Sequence, residues 1–201
     1  VLRKLKSNSN VVDIIPNRAI TPRILPNDPQ INKQWQYVNT GSTGGLIGAD
    51  MDMDLAWDIT TGGLSPAGDT IVVCVIDDGI NQAHEDLKDN IWYNRGEIPL
   101  NGIDDDGNGY IDDFRGWNVT ENNDSVFVAG VHGTPVCGII GARGNNGIGV
   151  SGINWKVKIM MVDYGSATEA NALASYGYAY TMRKLYNETN GKKGAYIVTT
   201  N

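Results

Sequence analysis

Apolar positions along the chain fall into two rhythms. I-V-V-C-V-I (Ile71–Ile76) is an unbroken, β-branched-rich run, the pattern of a parallel strand covered on both faces. V-K-I-M-M-V (Val157–Val162) and A-Y-I-V-T-T (Ala195–Thr200) are further runs of strand length. Between them lie helical signals. D-M-D-L-A-W-D-I-T-T-G (Asp52–Gly62) predicts a short helix stopped by glycine. T-P-V-C-G-I-I-G-A predicts a helix capped by Thr134 with Pro135 at its first position. From Ala170 to Asn187, Leu173, Tyr176, Tyr180 and Leu185 recur at roughly helical spacing and predict a longer helix. Strands alternating with helices predict an α/β fold with a mainly parallel sheet.

Punctuation and charge divide the chain. In I-T-P-R-I-L-P-N-D-P, Pro22, Pro26 and Pro29 forbid regular structure, which sets residues 1–25 apart from a body over 26–201. The first segment carries Arg3, Lys4, Lys6, Arg18 and Arg23 against Asp13 alone, so the body is more acidic than the net charge of -7 suggests. That balance argues against a nucleic-acid or anionic-membrane binder. No apolar run approaches the roughly 18 residues that span a bilayer. The chain starts at Val1 without an initiator Met or a signal peptide, and a trimmed sequence is expected. Cys74 and Cys137 sit inside apolar runs and read as buried small hydrophobes.

The strand Ile71–Ile76 runs into D-D-G, so Asp77 emerges at the carboxyl end of a parallel strand, where open α/β sheets build their sites. A histidine at a glycine-rich helix start, His132 before Gly133, could pair with it. The carboxylate would fix the imidazole's tautomer and stabilise its cation, and the imidazole would act as a general base. A strand-end aspartate can equally cap a helix or hold a turn.

V-I-D-D-G-I (Val75–Ile80), H-E-D-L (His84–Leu87), H-G-T-P-V-C-G (His132–Gly138) and N-N-G-I-G-V-S-G (Asn145–Gly152) occur in the order found in subtilisin-like serine proteases, and the chain resembles the first half of that family's catalytic domain. N-D-P-Q-I-N-K-Q-W (Asn27–Trp35) and A-W-D-I-T-T-G (Ala56–Gly62) are similar to the family's mature N-terminus. The resemblance covers about residues 22–201 and implies a three-layer subtilisin-like fold, of which this is the N-terminal portion. It makes Asp77 the triad aspartate and His132 the triad histidine. Asp78 falls at a variable position and is expected to be structural, and His84 to be a non-catalytic loop residue. Pro135 stands where the family commonly has a second histidine. Tyr164, Gly165, Ser166 and Ala167, after the Val157–Val162 strand, are expected to form the near edge of the substrate groove.

The family's nucleophile sits in a G-T-S-M-A-like helix start and its oxyanion-hole Asn in a later segment. None of Ser65, Ser125, Ser151, Ser166 and Ser175 has that context. The resemblance therefore implies a serine endopeptidase whose Ser lies in an absent C-terminal half, leaving this fragment inactive alone. A peptide or protein substrate, that C-terminal half and the enzyme's own propeptide are the expected partners, in a secreted or extracellular setting. S-N-S-N-V-V-D-I-I-P-N (Ser7–Asn17) resembles the end of an inhibitory propeptide, with maturation between Asn17 and Asn27; a disordered linker is the other reading.

Calcium is the expected cofactor, at two places. N-G-I-D-D-D-G-N-G-Y-I-D-D (Asn101–Asp113) packs five carboxylates into ten residues. Asp104, Asp106, Asn108 and Gly109 match the opening of an EF-hand loop, with the Tyr110 carbonyl next, and Asp112 or Asp113 closing it because Arg115 holds the usual Glu position. A solvated acidic loop is the alternative. The second site is implied by the resemblance: Asp28 and Asp86, with ligands from Gly144, Asn146, Ile148 and Val150. Two other functions fit the residues less fully. A catalytically inactive pseudoprotease would bind peptides on the same fold. A phosphoacceptor domain would use the D-D-G strand end but leave the H-G-T helix and acidic loop idle. Asn118-Val-Thr and Asn187-Glu-Thr are glycosylation sequons.

Overall fold

A computed structural model describes residues 25–127 and 132–201. The expected propeptide tail, residues 1–25, lies outside them except for Leu25. Four parallel strands form one sheet: β1 (Val72–Asp77), β2 (Trp117–Asn118), β3 (Lys158–Asp163) and β4 (Ile197–Thr200), in the order β2-β3-β1-β4. Among the described residues the α-helices are α1 (Met53–Ile59), α2 (Gly133–Gly141) and α3 (Glu169–Glu188). Single 3₁₀ turns occupy Ile31–Lys33 and Lys88–Asn90.

The central strands are apolar throughout because each face is covered. Side chains alternate across a strand, so Val72, Cys74, Met160 and Val162 point to one side and Val73, Val75, Ile159 and Met161 to the other. On the first side they pack with Tyr178, Ala179 and Met182 of α3; on the second, with Cys137 of α2, Leu87 and Val126. The sheet is thus the middle of three layers. A third cluster, Tyr37, Met53, Trp57 and Trp155, fastens the segment before β1 to the body, with the Trp57 indole N–H donating to the Ile153 carbonyl at 3.0 Å.

Three expectations are corrected. α2 begins at Gly133 with His132 as its N-cap, so Thr134 does not cap it; the Thr134 hydroxyl instead accepts the Asn81 N–H at 2.9 Å. The buried stripe of α3 is Ser175, Tyr178, Ala179 and Met182, whereas Leu173, Tyr176 and Tyr180 are exposed. Asn118 lies within β2 with its amide donating to Ser125 O and to the Asp163 carboxylate, which removes that sequon from the surface. Asn187 is exposed on the last turn of α3.

Candidate active site

β1 delivers Asp77 to the carboxyl edge of the sheet, buried, and α2 starts directly above it. His132 Nδ1 lies 2.9 and 3.0 Å from the two Asp77 oxygens, although 55 positions separate the residues. The Asp78 N–H donates to Asp77 Oδ1 at 2.8 Å and steadies the carboxylate. Such close packing needs a residue without a side chain next to the histidine: a Cβ on Gly133 would lie 2.1 Å from the Gly79 carbonyl oxygen.

The His132 side chain is 76% exposed. Its pKa is raised above the ordinary imidazole value, first by the hydrogen bond to Asp77, then by the charges of Asp77 and, last, of Asp78, against a small opposing effect of burial. Nδ1 faces the carboxylate, and among the described residues no hydrogen bond reaches Nε2. An imidazole held this way can accept a proton at Nε2 while Asp77 stabilises the resulting cation.

Beside this pair runs the segment expected to meet substrate. The Tyr164 N–H donates to the Asp77 carbonyl at 3.2 Å, and the Gly165 N–H to the Asp163 carboxylate at 2.8 Å. Gly165, Ser166 and Ala167 are exposed. Tyr164 and Ala167 line an open pocket of about 420 Å³ with Ile76, Ala172 and Tyr176. Asp163, paired with Asp77 across the β1–β3 ladder, was not anticipated; burial raises its pKa. His84 is remote in role: its Nδ1 accepts the Asp86 N–H in a surface turn.

Asp28 and Asp86, both buried, cinch the loop 144–151 from two sides. Asp28 accepts N–H bonds from Asn145, Asn146 and Gly147 and the Ser151 hydroxyl. Asp86 accepts from the Val150 N–H at 2.8 Å and from the Asn146 amide at 3.0 Å. Among the described residues, no hydrogen bond reaches the carbonyls of Gly144, Ile148 or Val150, which remain available to a cation.

In the acidic loop the carboxylates divide. Asp104 accepts the N–H groups of Gly107, Asn108 and Gly109, and Asp112 those of Asn101 and Gly102, so both hold turns. Gly107, at φ 76°, makes the first of these turns possible. Asp106 and Asp113 instead turn inward, joined by Glu97, and ligand atoms of all three lie within 4.8 Å of one another, buried. The Asn94 amide bridges Asp106 and Asp113; Asp113 also receives the Asn108 amide and the Tyr178 hydroxyl. Burial, opposed by those bonds, pushes Asp113 up to about 7. Tyr110 places its ring against Trp117 and Tyr178. Glu97 escaped the sequence reading because it precedes the D-x-D-x-N-G pattern and only the fold brings it back.

The layout is that of a parallel α/β domain with an Asp–His acid–base pair at the carboxyl ends of its strands. The chain belongs to the subtilase family, whose profile matches residues 68–198. It is 42% identical to Subtilisin-like protease 1 of Plasmodium berghei over 136 residues, 67% of this chain and 20% of that protein. It is 31% identical to PC3-like endoprotease variant B of Hydra vulgaris over 174 residues, 84% of this chain and 21% of the relative. Among solved structures, the serine protease of Aeromonas sobria in complex with the chaperone ORF2 superposes with a TM-score of 0.53 at 26% identity, covering 76% of this chain and 22% of that one. The fold is therefore the N-terminal portion of a subtilisin-like fold. The chain spans about a fifth of the length of these relatives.

Proposed function

We propose that this chain is the Asp- and His-bearing part of a secreted, calcium-stabilised serine endopeptidase, whose nucleophilic Ser and oxyanion-hole Asn are supplied by a C-terminal half. The observation that carries the reading is the 2.9 Å contact between His132 Nδ1 and Asp77 at the carboxyl end of β1. Asp77 holds the Nδ1–H tautomer. Nε2 then takes the proton of the Ser hydroxyl as it attacks the peptide carbonyl, and returns it to the leaving amine. Asp77 remains ionised and stabilises the transient imidazolium. The Tyr164–Ala167 segment, tied to β1 through the Tyr164 N–H, is the edge along which an extended peptide adds.

The C-terminal half docks beside β4, whose outer edge is open in the sheet order and whose Val198 is exposed next to Tyr176 and Tyr180 of α3. Calcium is held at two places by hard oxygen donors. One comprises Asp28, Asp86, Asn146 and the carbonyls of Gly144, Ile148 and Val150. The other comprises Glu97, Asp106 and Asp113 with Asn108, Tyr110, Asp104 and Asp112 shaping the loop. Calcium's role is to neutralise buried carboxylates and stiffen the loops. Secretion fits the 30% identity over 173 residues to a protein named Extracellular protease from Xanthomonas campestris. The propeptide is proposed as the inhibitor that precedes maturation.

The test is His132→Ala in the full-length protein, assayed on peptide substrates. Hydrolysis should fall by several orders of magnitude while the fold survives, because the base is gone and an exposed histidine packs no core. The fragment 1–201 should be inactive alone. Full activity of the variant would remove His132 from the reaction, and a wild-type protein that binds peptides but cleaves none would be a pseudoprotease.

A further inference from the structure

The residue after the triad aspartate is bonded to the other catalytic element. The Gly133 N–H donates to Asp78 Oδ1 at 2.7 Å, and the His132 N–H lies 3.3 Å from Asp78 Oδ2. Adjacent residues of one turn therefore grip His132 twice, Asp77 by its ring and Asp78 by its backbone. No side chain of α2 itself caps the helix start. The carboxylate of Asp78 fills that role from across the active-site edge, at the positive end of the helix dipole. Asp78 gives each of the two consecutive N–H groups its own acceptor oxygen; an amide there would turn its NH₂ toward one of them or leave both on a single oxygen.

We infer that Asp78 is a positioning residue of the reaction: it clamps the first turn of α2 so that the His132 imidazole meets Asp77 and the nucleophile in one fixed orientation. This rests on the proposed Asp–His assignment and adds to it a residue that the sequence marks only as a variable neighbour. Loss of the clamp leaves the ring bonded to Asp77 but frees the backbone that carries it, and displacements on the order of 1 Å cost about a hundredfold in rate. The negative charge of Asp78 also favours the imidazolium, so its removal makes His132 a weaker base.

The experiment compares Asp78→Asn, Asp78→Ser and His132→Ala in the full-length protease, with rates expressed per active site titrated by a serine-directed covalent inhibitor. Asp78→Asn should lower kcat by about ten- to a hundredfold with KM nearly unchanged, and its kcat/KM profile should keep activity to lower pH than wild type. Asp78→Ser, whose shorter side chain draws its acceptor back from both N–H groups, should lose at least as much kcat and show the same displacement of the acid limb. An active His132→Ala would overturn the triad assignment itself. An inactive His132→Ala with wild-type kcat and acid limb per titrated site in both Asp78 variants would overturn the positioning role alone, even if less folded protein is recovered.

Discussion

His132 keeps most of its side chain in solvent, so its basicity is set by its neighbours rather than by burial. Asp77 acts through a direct bond and through charge, and both raise the imidazole pKa. The sign follows for activity. A base must be neutral, so kcat/KM should rise with pH through a value above the ordinary imidazole pKa of about 6.5. Asp77→Asn should move that limb to lower pH, because the charge that holds the imidazolium is gone. It should also cut kcat by about 10⁴-fold, the loss known for this substitution in serine proteases, through the wrong tautomer. A pH–rate profile of the two proteins checks both. An unshifted limb would mean that another group titrates. Asp77 and His132 are bonded in space only because β1 and the start of α2 converge; a separation of 55 positions hides this from any local pattern. Their pairing was legible through family motifs, not through spacing.

At the scale of elements, α3 carries two apolar stripes, and the sequence alone could not rank them. Ser175, Tyr178, Ala179 and Met182 face the sheet; Leu173, Tyr176 and Tyr180 face outward beside the open edge of β4. The proposed C-terminal half would cover that outer stripe. Met182→Ala should cost about 2–5 kcal/mol of stability in the full-length protein, as a buried side chain does. Tyr180→Ala should cost well over the roughly 0.5 kcal/mol of a surface change if the C-terminal half covers it. Denaturant unfolding measures both, and a neutral Tyr180→Ala would leave that face to solvent. The strands β1, β3 and β4 were legible because runs of apolar, β-branched-rich residues persist over four to six positions. β2 was not: Trp117 and Asn118 are too short to carry a period, and their pairing with Val162 and Asp163 is decided by the fold. The start of α2 was misjudged by two residues because Thr134 has a cap's chemistry but spends its hydroxyl on Asn81.

Across the whole molecule, an acidic chain gathers carboxylates at two seams. Asp28 and Asp86 join the segment before β1 to the 144–151 loop, and Glu97, Asp106 and Asp113 join the acidic loop to α3 through Tyr178. Burying carboxylates away from water is costly, and the raised pKa of Asp113 records that cost, first through burial and last through the charge of Asp106. A divalent cation bound only by the folded state offsets it by RT ln(1 + [L]/Kd), about 2.7 kcal/mol when calcium is a hundredfold above Kd. The melting temperature of the full-length protein should therefore climb with calcium concentration and fall on chelation. Asp106→Ala and Glu97→Gln should each abolish part of that dependence, and Asp28→Ala another part, since the two seams share no ligand. Magnesium, which dehydrates reluctantly and demands a tighter octahedral shell, should substitute poorly. A melting curve indifferent to chelator would leave both seams as hydrogen-bonded loops held by their own N–H groups.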